Sequence, residues 1–114
     1  MLTRREIIEL CLTFPGAYED YPFGEDWTLI RHSLGRRSFA IIYERNGDLC
    51  VNLKCEPMQA EFWRKVYTGV TPGYHMNKTH WNTAVIGSDL PKEELAEMIR
   101  DSYELTRAAP QKKT

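Results

Sequence analysis

The pair Asn46-Gly47 constrains this chain more than any other two residues. Both residues tolerate the positive φ that a type I′ turn demands, and that turn suits two antiparallel strands. After it, Leu49, Val51 and Leu53 alternate with Cys50, Asn52 and Lys54, the mark of a half-buried strand. Before it, the run from Arg37 to Tyr43 puts Phe39, Ile41 and Tyr43 on one face. A further strand is expected over Trp27 to Ser33, joined to the next by the turn Leu34-Gly35-Arg36-Arg37. Three strands linked by short turns make an antiparallel meander.

Helices flank the meander. Thr3-x-x-Glu6 is a capping box, with Leu2 and Ile7 placed as a hydrophobic staple. Ile7, Ile8, Cys11 and Leu12 continue it as a helical stripe that Phe14-Pro15-Gly16 ends. Ala17 to Asp26 reads as an extended edge segment, with Pro22 confining any strand there to the rim of a sheet. Pro57 opens a second helix with Met58, Phe62, Trp63 and Val66 as its apolar face. His80 to Ile86 reads as another strand, with His80, Asn82, Ala84 and Ile86 on one face and Trp81, Thr83 and Val85 on the other. Leu90-Pro91 starts a third helix with the stripe Leu95, Met98, Ile99, Tyr103 and Leu105. Residues 1–107 form one domain, and Ala108 to Thr114 reads as a polar, frayed tail. The expected fold is α+β: a two-layer sandwich, with an antiparallel sheet and helices packed on one face.

Composition narrows the class of function. A chain of 114 residues, 42% hydrophobic and 27% charged, fits a single globular domain. The net charge of -1 gives no overall pull towards nucleic acid or anionic membrane. No apolar run approaches the ~20 residues of a membrane span, and Arg4, Arg5 and Glu6 leave no room for a signal peptide. Cys11, Cys50 and Cys55 are odd in number and lack metal-binding spacing, so a disulfide framework or zinc ribbon is not expected. These features imply a cytoplasmic protein, and a monomer is expected.

Three groups of residues carry possible chemistry. The first lies in the run TPGYHMNKTHWNT, Thr71 to Thr83, where His75, Asn77, Lys78, His80, Trp81 and Asn82 crowd together. Lys78 and His80 can neutralise an anion, Asn77 or Asn82 can hydrogen-bond it, and an aromatic ring can stack on a base or ligand. The same Asn and His side chains can instead satisfy turn backbone, with Trp81 in the core. The second group is basic: Arg36 and Arg37 at one hairpin turn, Arg45 at the next, with Arg31 and Lys54 on neighbouring strands. Arginines on hairpin tips suit phosphates. Successive tips lie at opposite ends of the meander, roughly 20 Å apart, and charge at such tips also keeps sheet edges from pairing. The third is the acidic block Glu19, Asp20, Glu25 and Asp26, which suits either a hard cation or a solvated edge. No nucleophile with an activating base, phosphate loop or dinucleotide motif is visible, so neither an enzyme nor a cofactor is expected, and no metal site is assigned.

The segments FPGAYEDYPFG (14–24), TPGYHMNKTHWNT (71–83) and LPKEEL (90–95), with SYEL (102–105), resemble the MmcQ/YjbR family of small bacterial proteins. The similarity runs from about Arg4 to Thr106. The resemblance implies a CyaY-like (frataxin-like) fold and a DNA-binding role through a double wing of β-hairpins, with duplex DNA as partner. It maps onto His75, Asn77, Lys78, His80, Trp81 and Asn82 and supplies no catalytic residue. Two other roles stay open: an adaptor for a small ligand or partner protein with its site at 74–82, and iron binding by the acidic 19–26 block.

Overall fold

The computed structural model describes residues 1–108, so all of the expected tail beyond Ala108 lies outside the described residues. The elements run α1 (Arg4–Leu12), β1 (Ala17–Asp20), β2 (Thr28–His32), β3 (Ser38–Arg45), β4 (Asp48–Lys54), α2 (Pro57–Val66), β5 (Val70–Pro72), β6 (Trp81–Val85) and α3 (Lys92–Thr106). The six strands form one antiparallel sheet in the order β1-β2-β3-β4-β6-β5. Local chemistry sets several boundaries. The Thr3 hydroxyl accepts from the Glu6 N–H at 3.2 Å, and Glu6 Oε1 accepts from the Thr3 N–H at 2.8 Å, closing the expected capping box. Asn46 and Gly47 have φ of 54° and 82°, the pair of positive values the β3–β4 turn needs.

All three helices cover one face of the sheet. Ile7, Ile8 and Cys11 of α1, Trp63 of α2 and Leu95, Met98 and Ile99 of α3 pack in one core with Ile30, Ile42, Val51, Leu53 and Ala84 of the strands. Burying each such side chain stabilises the fold by roughly 1.5–3 kcal/mol before the entropy of ordering is subtracted. Ser102 of α3 stitches this layer to the sheet. Its hydroxyl accepts from the Lys54 N–H at 2.9 Å and donates to the Phe39 carbonyl at 2.6 Å, bridging β3 and β4 just beyond their last paired residues, Ile41 and Asn52. Nearby, His32 packs between Phe39 and Tyr103 with ring centroids 5.1 and 4.6 Å away. Its Nε2 lies 2.8 Å from the Thr106 hydroxyl. That hydroxyl already donates to the Ser102 carbonyl, so it accepts from His32.

Four expectations change. Phe39 does not share a face with Ile41 and Tyr43: the β2–β3 register passes from Ile30↔Ala40 to Arg31↔Ser38, and this bulge turns Phe39 into the helix-side core. Strand β4 is buried on both faces, because Cys50 and Asn52 are covered as well as Val51 and Leu53. On α2 the buried residues are Ala60 and Trp63, while Met58, Phe62 and Val66 face solvent. Leu105 of α3 is exposed, and Ser102 and Thr106 take the inward positions. Strand β5, too short for any periodicity signal, adds an edge that the sequence reading leaves unassigned.

Candidate binding pocket

The face of the sheet away from the helices carries the most distinctive surface. Cross-strand register aligns Leu29, Ile41, Asn52, Thr83 and Thr71 in one row across five strands. Tyr43, Cys50 and Val85 form the next row with the same orientation. The 73–80 loop folds back over these rows. Gly73 permits the fold: a Cβ there would stand 2.7 Å from Trp81 Cβ. Gly73 also donates its N–H to the Trp81 carbonyl at 2.9 Å and accepts from the Met76 N–H at 3.2 Å. His75 adopts φ 59°, a left-handed conformation uncommon for a non-glycine residue, to turn the loop inward.

A cavity of about 250 Å³ lies under this loop. Phe23, Trp27, Leu29 and Ile41 form its walls, Tyr74, His75 and Met76 its roof, and Asn52 its floor. The aromatic side chains are organised as a stack. Trp27 lies on Tyr43 (4.5 Å, 18° between planes), Tyr43 faces Tyr74 (5.8 Å, 28°), and the Arg45 guanidinium stands 4.0 Å over the Tyr74 ring. Beneath them runs a buried polar network. Tyr43 and Thr83 each donate a hydroxyl to Asn52 Oδ1 at 2.7 Å, Asn52 Nδ2 donates to the Tyr74 carbonyl at 2.9 Å, and the Tyr74 N–H donates to Thr83 Oγ1 at 2.9 Å. Burial pushes the Tyr43 phenol further above its ordinary range, so it remains a neutral donor. Another cleft, of about 300 Å³, is lined chiefly by Glu56, Gln59, Asp101 and Glu104 and lacks the apolar aromatic walls. Burial raises the Asp101 carboxyl in that cleft.

The ten residues expected to form a site scatter over the molecule. His75 lines the pocket, its ring centroid 4.0 Å from that of Tyr74 and tilted by 44°, and Arg45 stands over the Tyr74 ring. Asn77 serves the loop itself, accepting from the Thr79 N–H at 2.9 Å. Lys78 Nζ donates to the Gly73 carbonyl at 2.9 Å, bracing the loop from within, while much of the side chain stays at the surface. His80 is exposed, and its carbonyl accepts from the Cys55 N–H at 2.8 Å. Trp81 is half-buried on β6 opposite Lys54, outside the core cluster. Asn82 is fully buried on the helix side of the sheet. Its Oδ1 accepts from Arg64 Nε at 2.6 Å, its Nδ2 donates to the Ala60 carbonyl at 3.2 Å, and Arg64 also donates to the Lys78 and Trp81 carbonyls. Asn82 therefore clamps α2 to the loop and is closed to any ligand. Arg31 pairs with Asp20 at 2.9 Å and donates to the Arg36 carbonyl at 3.1 Å. Arg36 and Arg37 stand exposed at the β2–β3 turn, the end of the meander opposite Asn46-Gly47.

Two members of the acidic block, Glu19 and Asp20, are likewise taken up in ion pairs, with Arg5 and Arg31. Glu19 accepts from Arg5 at 2.9 Å and from the Tyr21 hydroxyl at 2.7 Å, and the Arg5 bond holds its carboxyl below the usual range. Among the described residues no group of three or more His, Cys, Asp or Glu is placed to hold a metal ion. The three cysteines are free and buried, and burial pushes the Cys11 thiol to about 12 and the Cys55 thiol to about 11. No described helix is long and apolar enough to cross a membrane.

The sequence reading missed Phe23, Trp27, Leu29, Ile41, Tyr43 and Asn52; Tyr74 and Met76 fall inside its 74–82 segment and Thr83 ends the 71–83 run, though none of the three was singled out. One signal was available: Asn52 interrupts an otherwise apolar strand, and Trp27, Leu29, Ile41 and Tyr43 share its parity once the strands are registered.

The chain and its fold have relatives. The YjbR family model matches residues 12–105. The chain belongs to the YjbR family. The uncharacterised protein YbdF of Escherichia coli O157:H7 is 31% identical over 96 residues, covering 84% of this chain and 77% of YbdF. The uncharacterised protein YjbR of Escherichia coli K12 is 29% identical over 103 residues, covering 90% of this chain and 86% of that protein. A crystal structure of a Pseudomonas syringae protein superposes with a TM-score of 0.83 at 29% identity, over 93% of this chain and all of that one. YjbR membership agrees with the family resemblance carried by the 14–24, 71–83 and 90–95 segments.

Proposed function

We propose that this YjbR-family chain is a non-enzymatic, monomeric binding protein whose site is the pocket under the 73–80 loop. The observation that carries this reading is the 250 Å³ cavity, which combines apolar and aromatic walls with a buried hydrogen-bonding floor. Small-molecule sites have this character: a concave, mainly apolar space with a few placed polar groups. Phe23 supports it further, since it is 74% exposed at the mouth of the pocket. A large aromatic ring left in water on a wall is poised to cover a guest. Burial pushes the Cys11 and Cys55 thiols up to about 12 and about 11, so neither is an activated nucleophile. The test is a fragment screen by ¹⁵N–¹H NMR with flat one- and two-ring compounds. Shifts centred on Trp27, Tyr74 and Met76 are expected; shifts confined to Arg36 and Arg37 would contradict the reading.

Duplex DNA binding, with the double wing and CyaY-like analogy behind it, is the second reading. It draws on Arg36 and Arg37, which are exposed and make no ion pair among the described residues. Against it, Arg31 is paired with Asp20, and Arg45 lies over the Tyr74 ring at the end of the meander opposite Arg36 and Arg37. Fluorescence anisotropy with a short duplex decides: no binding at ~50 mM salt and micromolar protein removes it, since phosphate contacts are strongest at low salt. Iron binding at 19–26 has less behind it, because Glu19 and Asp20 already hold Arg5 and Arg31.

A further inference from the structure

Resting on the pocket reading above, we infer that the ligand is a flat aromatic small molecule with a hydrogen-bond acceptor in its ring system and a carboxylate at its edge. The floor of the pocket sets the first requirement. Asn52 is 1% exposed, and the Tyr74 carbonyl can only accept, so the amide nitrogen must face it. The hydroxyls of Tyr43 and Thr83 then fill both lone pairs of Oδ1. An amide nitrogen carries two hydrogens, and Tyr74 takes one. No acceptor takes the other among the described residues, and Asn52 lines the cavity. A buried donor without a partner is unfavourable, so a guest bearing a ring nitrogen or carbonyl gains by meeting it, whereas a guest with only donors or only carbon does not.

The walls and rim set the rest. Trp27, with one ring face on Tyr43, and Phe23, with no aromatic partner among the described residues, both line the apolar space and offer it aromatic surface. A planar guest fills it better than a branched one. Next to the lining residues, the Arg45 guanidinium lies over the ring of Tyr74, and its N–H groups make no hydrogen bond or ion pair among the described residues. No Asp or Glu lines the cavity. A guanidinium that is stacked in place, with its N–H edge unclaimed, suits a carboxylate better than any neutral group.

The experiment uses the full chain, titrated by calorimetry and ¹⁵N–¹H NMR with quinoline-3-carboxylate, quinoline-6-carboxylate, 2-naphthoate and quinoline. At least one quinoline carboxylate is expected to bind tightest. Loss of the ring nitrogen, as in 2-naphthoate, weakens binding roughly fivefold, the worth of one hydrogen bond. Loss of the carboxylate, as in quinoline, weakens it by about two- to fivefold at low salt. The Asn52 side-chain amide protons shift with the quinolines and not with 2-naphthoate. Arg45→Gln weakens the three carboxylates and leaves quinoline unchanged, which separates loss of charge from damage to the pocket. Equal affinities for all four, with shifts at Trp27 and Met76, would overturn the ligand class and leave the pocket standing. Silence from these four alongside binding of other flat fragments does the same. Silence from every fragment overturns both.

Discussion

Two adjacent rows of the same five strands have opposite characters. On the helix side Thr28, Ile42, Val51, Ala84 and Val70 align; one residue along, Leu29, Ile41, Asn52, Thr83 and Thr71 align on the other side. The first row is nearly all apolar and sealed by three helices. The second has a polar centre, aromatic neighbours and a folded-back loop in place of a helix layer. Close packing of the first row leaves no space for anything else. The second row bonds its polar groups to one another and to Tyr74, apart from one Asn52 amide hydrogen, and borders a cavity. The comparison teaches that one side of the sheet stores stability and the other leaves room for a guest.

The sharpest way to break this comparison is to truncate neighbouring isoleucines. Ile42→Ala, on the helix side, is expected to cost about 3 kcal/mol, lowering the melting temperature by roughly 10–20 °C. Ile41→Ala, half-buried on the pocket side, should cost about 1 kcal/mol. Equal losses in urea unfolding would erase the distinction. Next in size is Ser102→Ala, which leaves the Lys54 N–H and the Phe39 carbonyl without their bridge. A loss of about 2 kcal/mol is expected, with hydrogen exchange at Lys54 accelerated; unchanged exchange there would refute the stitch.

A pH series probes the helix side more gently. Burial, reinforced by the Arg107 charge, holds the His32 pKa below its ordinary value. Below pH ~6.5 the unfolded chain takes up a proton that the folded chain resists. Stability from this group is therefore complete above that pH, falls as the pH drops towards the folded pKa, and then levels off. His32→Gln should flatten the change in urea midpoint between pH 7.5 and 6; a variant with the same slope as the parent would sink the assignment. The smallest effect on stability is expected at Phe23→Ala, within about 0.5 kcal/mol because the ring is exposed. Yet this change should weaken fragment binding measurably by NMR titration, and retained affinity would take Phe23 out of the site.

Much of the fold was legible from local chemistry. The capping box at Thr3 and Glu6, the Asn46-Gly47 turn and the stop at Phe14-Pro15-Gly16 act between neighbours in the chain, so sequence spacing describes them fully. The site was far less legible. The 71–83 run does mark the right loop, but its most conspicuous members, Asn77, Lys78 and Asn82, spend their polar atoms on backbone and on Arg64. Residue type reports what a side chain can bond, while the choice among partners depends on what the fold brings within about 3 Å.

What the sequence alone determined is the set of elements: helices where apolar residues recur at helical spacing, strands where they alternate, and turns where Gly, Asn and Pro relieve the backbone. The tertiary structure alone decided which side of each element meets which neighbour. A one-residue bulge between Ile30 and Arg31 sends Phe39 inward, and the register of four strands sets Asn52 beside Thr83 under Tyr74. Pairing registers and loop docking are long-range choices, fixed by the burial of the whole sheet at once. For that reason the pocket's residues, drawn from Phe23 to Thr83, become a site only in three dimensions.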